Sequence, residues 1–271
     1  MRSLFTAIPL LLLAIGCQKQ PDVLPLESPV SSLANLPKTY QPVQGIAVAN
    51  RLKSQGQDGK PSGEWRYNER GQLLERRFFG FFSGELSSAD QYRYGADGHL
   101  RFVQHFGNNC DFSSVSNCTG PVKWTGYDDL TTDAAGRVTE SRVYLNVDGK
   151  WDLRSVNAYT YNPQGQLTGV RQTDGTGKPT RTQTLTYDSR GNVTSVREQS
   201  PIAPPDLADR TTNYTYETGR SPYFKTVYFA SALFLSPNMQ ASPEYTYDYR
   251  ADGLPIRIRQ SKGGTTELTY Y

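Results

Sequence analysis

Thr186-Tyr187-Asp188-Ser189-Arg190-Gly191-Asn192-Val193-Thr194 is the stretch whose reading settles the fold class. Leu185 and Tyr187 alternate with polar neighbours, so both point to one face of a strand, where side chains repeat every two residues. Asp188 then opens a turn, Gly191 supplies the positive φ that ends it, and Val193 restarts the alternation. The unit is a β-hairpin. Related strings lie on both sides: Trp65-Arg66-Tyr67 before Gly71, Tyr92-Arg93-Tyr94 before Gly98, Leu130 before Gly136 and Tyr159-Thr160-Tyr161 before Gly165. Tyr214-Thr215-Tyr216 is a shortened copy whose Gly219 comes one place early, and Tyr245, Tyr247 and Tyr249 lead to Gly253.

From Gly71 to Gly191 successive turn glycines are 27, 38, 29 and 26 residues apart. A period near 27 leaves about ten residues per strand. One hairpin buries too little to order its own backbone, so neighbours must share their faces. The expected fold is all-β: an antiparallel meander of about seven hairpins forming a curved or partly rolled sheet. After each turn the alternation is expected to set Leu100 and Phe102 on one face, against His99 and Arg101 on the other.

The string Tyr-x-Tyr-Asp-x-x-Gly-x-Val/Leu-Thr resembles the YD, or RHS-type, repeat over roughly residues 45–271. The chain is similar to small exported bacterial lipoproteins that carry such repeats. Large RHS proteins wrap dozens of units into a hollow shell around a toxic domain; about seven units are too few for that.

The first sixteen residues read as a secretory leader, with Arg2 as the charged start and an apolar run from Leu4 to Ile15. Twelve residues of helix cover roughly 18 Å, too short for a hydrocarbon core of about 30 Å. Leu13-Ala14-Ile15-Gly16-Cys17 resembles the lipobox of bacterial lipoproteins, which implies acylation of Cys17 and a mature chain that starts there. Residues 17–44 carry Pro21, Pro25, Pro29, Pro37 and Pro42 and read as a tether, with the repeat domain from 45 to 271. Cys110 and Cys118, an even pair in an exported chain, are expected to form a disulfide. The expected place is the outer membrane, lipid-anchored and facing the periplasm or the cell exterior.

Charge bears on the choice of partner. Twenty-nine basic and 26 acidic residues leave a net charge of +3, which argues against an electrostatically driven binder of nucleic acid or a membrane surface and leaves room for a local patch alone. Tyr 18, Phe 11 and Trp 3 supply large apolar surfaces despite a modest hydrophobic fraction. His99 and His105 would lie about 20 Å apart on a regular strand, too far to share a metal, and read as surface residues. No cofactor or metal site is expected. Trp65, Tyr67, Tyr92 and Tyr94 form part of an aromatic stripe that reads first as core and second as a surface for sugar rings or peptides. Arg66 and Arg93 alternate with these rings and suit either a solvated face or an anionic ligand. Trp124 lies in the long stretch between Gly98 and Gly136, where a recognition loop would fit. The reading favours a noncatalytic binding or structural module of the cell envelope with a glycan or protein partner. The alternatives are a glycan-processing enzyme and a toxin-immunity or other partner-binding protein.

Overall fold

The structure is a computed structural model that describes Leu33 and residues 36–80, 83–108, 121–225 and 231–271. Cys17, Cys110 and Cys118, and with them the leader, the lipidation site and the disulfide pair, lie outside the described residues. Among the described residues strand dominates. Its elements are β1 (Leu52–Gln57), β2 (Lys60–Tyr67), β3 (Leu73–Phe79), β4 (Leu86–Tyr94), β5 (Leu100–Gly107), β6 (Lys123–Thr132), β7 (Val138–Val147), β8 (Lys150–Tyr161) and β9 (Leu167–Asp174). There follow β10 (Pro179–Tyr187), β11 (Val193–Gln199), β12 (Asp209–Asn213), β13 (Thr215–Arg220), a single helical turn α1 (Ala232–Leu235), β14 (Asn238–Ala241), β15 (Tyr245–Tyr249), β16 (Pro255–Gln260) and β17 (Thr265–Tyr270).

Fifteen strands form one antiparallel sheet in the order β12 through β1 and then β17, β16, β15. The first twelve strands are a meander, and the last three add to its starting edge. Six of the repeat strings close hairpins at one end of this sheet. In each, the glycine amide donates to the residue three before it, as Gly191 does to Asp188 and Gly165 to Asn162 at 3.0 and 2.9 Å. The Asp188 side chain fixes the same turn by accepting from the amides of Arg190 and Asn192, both at 2.9 Å. Gly191 has φ +86°, a conformation that a Cβ would strain. The seventh, shortened copy behaves differently. Gly219 is no turn glycine; its backbone lies against the Tyr249 ring so closely that a Cβ would collide with it. Its strand β13 leaves the main sheet and pairs with β14 in a two-stranded ribbon.

A bulge follows every one of the six turns. Arg93 pairs with Phe102 while Tyr94 pairs with Leu100, so Arg101 is an extra residue. The same shift leaves Thr168 between the pairs Thr160–Gly169 and Tyr161–Leu167. Thr168 then donates its hydroxyl to the Thr160 carbonyl, 3.2 Å away, and Thr139 does the same for Thr131 at 3.3 Å. The bulge overturns the simple alternation expected after the glycine. Leu100 packs on the inner core, whereas Phe102 belongs to the outer one.

The inner core holds Trp65, Tyr67, Leu73, Tyr92, Val103 and Val138, and continues into Leu167, Val170, Leu185 and Val193. Its cover is the segment around β13, α1 and β14. The Tyr223 ring lies 6.4 Å from Trp65 on β2 and 6.4 Å from Phe234, while Ser236, two residues on, accepts from the Val193 amide of β11. In a flat sheet β2 and β11 would stand about 43 Å apart. The short chain of contacts shows that the sheet is rolled. The roll is open, since β12 and β15 are free edges, but the ribbon bridges it at the turn end. Tyr216 of β13 donates to the Val193 carbonyl, Arg220 donates its amide to Gly253, and Tyr249 donates to Glu217.

The outer face is partly covered too. Residues 36–46, which the sequence assigns mostly to the tether, run as a strap across β2 to β6. Gln104 donates to the Pro37 carbonyl at 3.0 Å, Gln91 to Gln41 at 2.6 Å and Arg66 to Val43 at 2.8 Å. Glu75, fully buried, accepts from the Val43 amide and pairs with Arg77 at 2.7 Å. Leu36 and Tyr40 thereby pack with Phe102, Phe106, Trp124 and Tyr127. Packing of the chain on the sheet thus begins well before residue 45.

Hairpins are joined by a recurring bond. The second tyrosine of a repeat donates its hydroxyl to the carbonyl two residues past the turn glycine of the neighbouring hairpin: Tyr94 to Leu73, Tyr161 to Val138, Tyr187 to Leu167 and Tyr270 to Pro255, at 2.6 to 2.9 Å. Tyr187→Phe is expected to lower unfolding stability by about 1 kcal/mol, because the Leu167 carbonyl loses its donor. The Tyr67 hydroxyl has no hydrogen-bond partner among the described residues, so Tyr67→Phe is expected to cost nothing. Denaturant unfolding of the two variants checks the contrast.

Candidate functional site

Most of the residues that the sequence singles out are structural. Trp65, Tyr67 and Tyr92 are buried in the inner core and Trp124 in the outer one, so their rings serve packing. Trp124 also donates its indole N–H to the Gly126 carbonyl at 2.8 Å, which ties it to its own strand. Arg66 holds the strap, as above, and Arg93 donates to the buried Gln104 at 3.2 Å. Of this set Tyr67, Tyr92 and the half-buried Tyr94 also border open space.

His105 does not lie free on the surface. Val103 and His105 face inward, and the His105 ring sits across β4, β5 and β6. Its Nδ1 is 2.7 Å from Asp90 and its Nε2 3.2 Å from Asp128, and Arg76 pairs with Asp90 at 2.7 Å. Burial disfavours the imidazolium, but the two carboxylates outweigh it and push the His105 pKa up to about 10. Burial likewise opposes the Asp90 charge, yet its hydrogen bond to His105 and the Arg76 charge hold its pKa below the ordinary carboxylate value. Their register across three strands, Asp90–His105–Gly126 beside Val103–Asp128, brings these groups together. Alternation within any one strand carries no trace of it. Further along the same face Ser141, Asn157 and Gln172 are linked side chain to side chain at 2.9 to 3.0 Å. Among the described residues no group of three or more His, Cys, Asp or Glu is placed to hold a metal ion.

Between the inner face and its cover lies a cavity of about 530 Å³. Tyr94, Tyr161, Tyr187, Phe224 and Phe234 supply ring walls, with Leu100, Val138 and Leu167 between them. Arg137, Arg190 and Lys225 stand at its border. Volumes of 300 to about 1,000 Å³ with apolar walls and few polar groups are typical of small-molecule sites. The tyrosine hydroxyls that join the hairpins turn away to backbone carbonyls, so the rings are what the cavity presents. The cover residues Phe224, Lys225 and Phe234 come from a part of the chain with no repeat string, and no spacing in the sequence points to them.

Fold and cavity define an all-β repeat protein with a rolled, open sheet and a covered inner face. No family model matches the sequence, and no curated protein matches it. Among solved structures the chain is similar to a porin-like protein from Bacteroides uniformis, at 12% identity and a TM-score of 0.48, over 83% of this chain and 100% of that one. It is similar to TcdB2-TccC3-Cdc42 at 16% identity and a TM-score of 0.34, over 76% of this chain but 11% of that one. A protein of unknown function from Bacteroides fragilis matches at 16% identity and a TM-score of 0.31, over 45% of this chain and 88% of that one. At these values the likenesses are distant and carry no function across.

The charged cluster has a consequence for pH. A raised His105 pKa contributes stability that is complete below the unfolded value of 6.5 and is lost as pH rises toward about 10. The wild type is therefore expected to lose unfolding stability between pH 6.5 and 10 more steeply than His105→Gln. Parallel slopes in thermal unfolding across that range would contradict the assignment.

Proposed function

We propose that this protein is a noncatalytic ligand-binding module of the bacterial cell envelope, built from YD-type repeats and tethered by lipid on Cys17. The covered cavity carries the binding part of this reading. It lies between the rolled sheet and its cover, walled by aromatic rings, and among the described residues that line it no nucleophile stands beside a base. The envelope part rests on the lipobox resemblance around Cys17 and on the apolar leader before it. A short Pro-rich run then separates the lipid from the strap that begins near Leu36.

Two measurements test the two parts. The full chain expressed in a bacterium is expected to carry the mass of a diacylated cysteine, which Cys17→Ser abolishes; an unmodified Cys17 in the mature protein overturns the anchor. For the cavity, a small-molecule screen by thermal shift is expected to yield ligands that raise the midpoint of the wild type and are recovered unchanged. Leu235→Trp, whose indole would occupy the cavity, is expected to lose that response. A response that persists in Leu235→Trp, or a ligand that is recovered chemically altered, counts against a noncatalytic cavity site.

A further inference from the structure

A second, smaller cavity of about 270 Å³ adjoins the first, and Tyr94 and Lys225 line both. The two differ in chemistry. The larger is walled by rings, whereas the smaller is lined by Arg51, Arg70 and Lys225 around Tyr67 and Gln72. No Asp or Glu lines either cavity among the described residues.

The cations of the smaller chamber are uncommitted. In the larger chamber Arg137 is neutralised by Asp133 at 2.6 Å and Arg190 by Asp188 at 3.6 Å. Among the described residues Arg51, Arg70 and Lys225 have no carboxylate within ion-pair distance; Arg51 lies over the Tyr67 ring, 5.9 Å from its centre, and Lys225 over Phe224 at 5.1 Å. Three unpaired cations facing one small space make a local positive potential in a chain whose net charge is nearly balanced.

Lys225 is also held in place. Its φ is +56°, a left-handed conformation uncommon for a residue with a Cβ, and its amide donates to the Phe234 carbonyl at 2.8 Å. Such backbone persists where surrounding structure enforces it, and it gathers at binding sites. Here it places an exposed ammonium at the junction of an apolar chamber and a cationic one. The Tyr92 ring lines the larger chamber, and its buried hydroxyl has no hydrogen-bond partner among the described residues, which leaves a polar group unanswered beside the apolar walls.

We propose that the two chambers are one site for an organic anion with a planar apolar body. The body stacks among Tyr94, Tyr161, Tyr187 and Phe234, and the anionic group meets Arg51, Arg70 and Lys225. This deepens the reading of the chain as a binding module and rests on it. Arg offers paired donors to a carboxylate or phosphate, and Lys a compact point charge. An apolar cation is rejected by the same three charges.

Titration calorimetry of the full chain with naphthalene-2-carboxylate, neutral naphthalene-2-methanol and naphthalene-2-methylammonium separates the outcomes. The anion is expected to bind at least about tenfold more tightly than the alcohol, and the ammonium more weakly than both. Lys225→Asn keeps a residue that tolerates left-handed backbone, and Arg70→Gln keeps a polar side chain of similar reach. Each is expected to remove most of the anion's advantage while the alcohol binds as before and the unfolding midpoint stays unchanged. Equal binding of anion and alcohol overturns the charge selection yet leaves a binding cavity standing. An anion advantage that survives both substitutions overturns the assignment of these cations. If none of the three binds, the cavity is no ligand site and the reading of the chain as a binding module falls with it.

Discussion

A tyrosine hydroxyl that reaches a backbone carbonyl of the neighbouring hairpin is the interaction on which this molecule depends. Two strands and a turn do not hold themselves together in water. In this chain the ring of each such tyrosine adds to a shared inner core, and its hydroxyl satisfies a carbonyl near the bulge that the turn creates. The same side chain therefore joins one repeat to the next and occupies the donor that burial would otherwise leave idle. Where the repeat lacks its aromatic, before Gly136, Thr132 stands instead and receives a hydrogen bond from Arg101 of the preceding hairpin. Stability spreads along the row rather than residing in any single unit.

A rolled sheet with this many strands has two faces to protect, and each receives a different cover. Outside, the strap is gripped through its main chain by Gln104, Gln91, Arg66 and Glu75, side chains that would be costly to bury without it. Inside, the ribbon and α1 lie against rings and leave room beside them. The inner cover is an imperfect fit and the outer strap a close one. The larger cavity lies on the inner side accordingly.

Much of this was legible from the chain alone, because the deciding signals were local. Tyr187, Asp188 and Gly191 specify strand, turn and positive φ within five residues, and the hairpins follow. What was not legible depended on register. One bulge residue after each turn reverses the facing of what comes next, so Phe102 parts from Leu100 and His105 comes to lie beside Asp128 on another strand. The partner of the strap could not be read either, since proline-rich sequence is equally compatible with solvent and with a groove. Gly219 looked like a displaced turn glycine; it makes room for Tyr249, a residue thirty places on. The cations of the small cavity were invisible for the same reason, Arg51, Arg70 and Lys225 being far apart in sequence.

The pairing of β1 with β17 has a bearing on biosynthesis. The strand that completes the neighbourhood of Leu52 follows every other strand in the chain, so β1 keeps a bare margin until the last hairpin has been made. During synthesis, the growing sheet would carry an adhesive border for most of that time. Partner chaperones, or simple delay of collapse until release, would be needed to keep two nascent copies from zipping onto each other there.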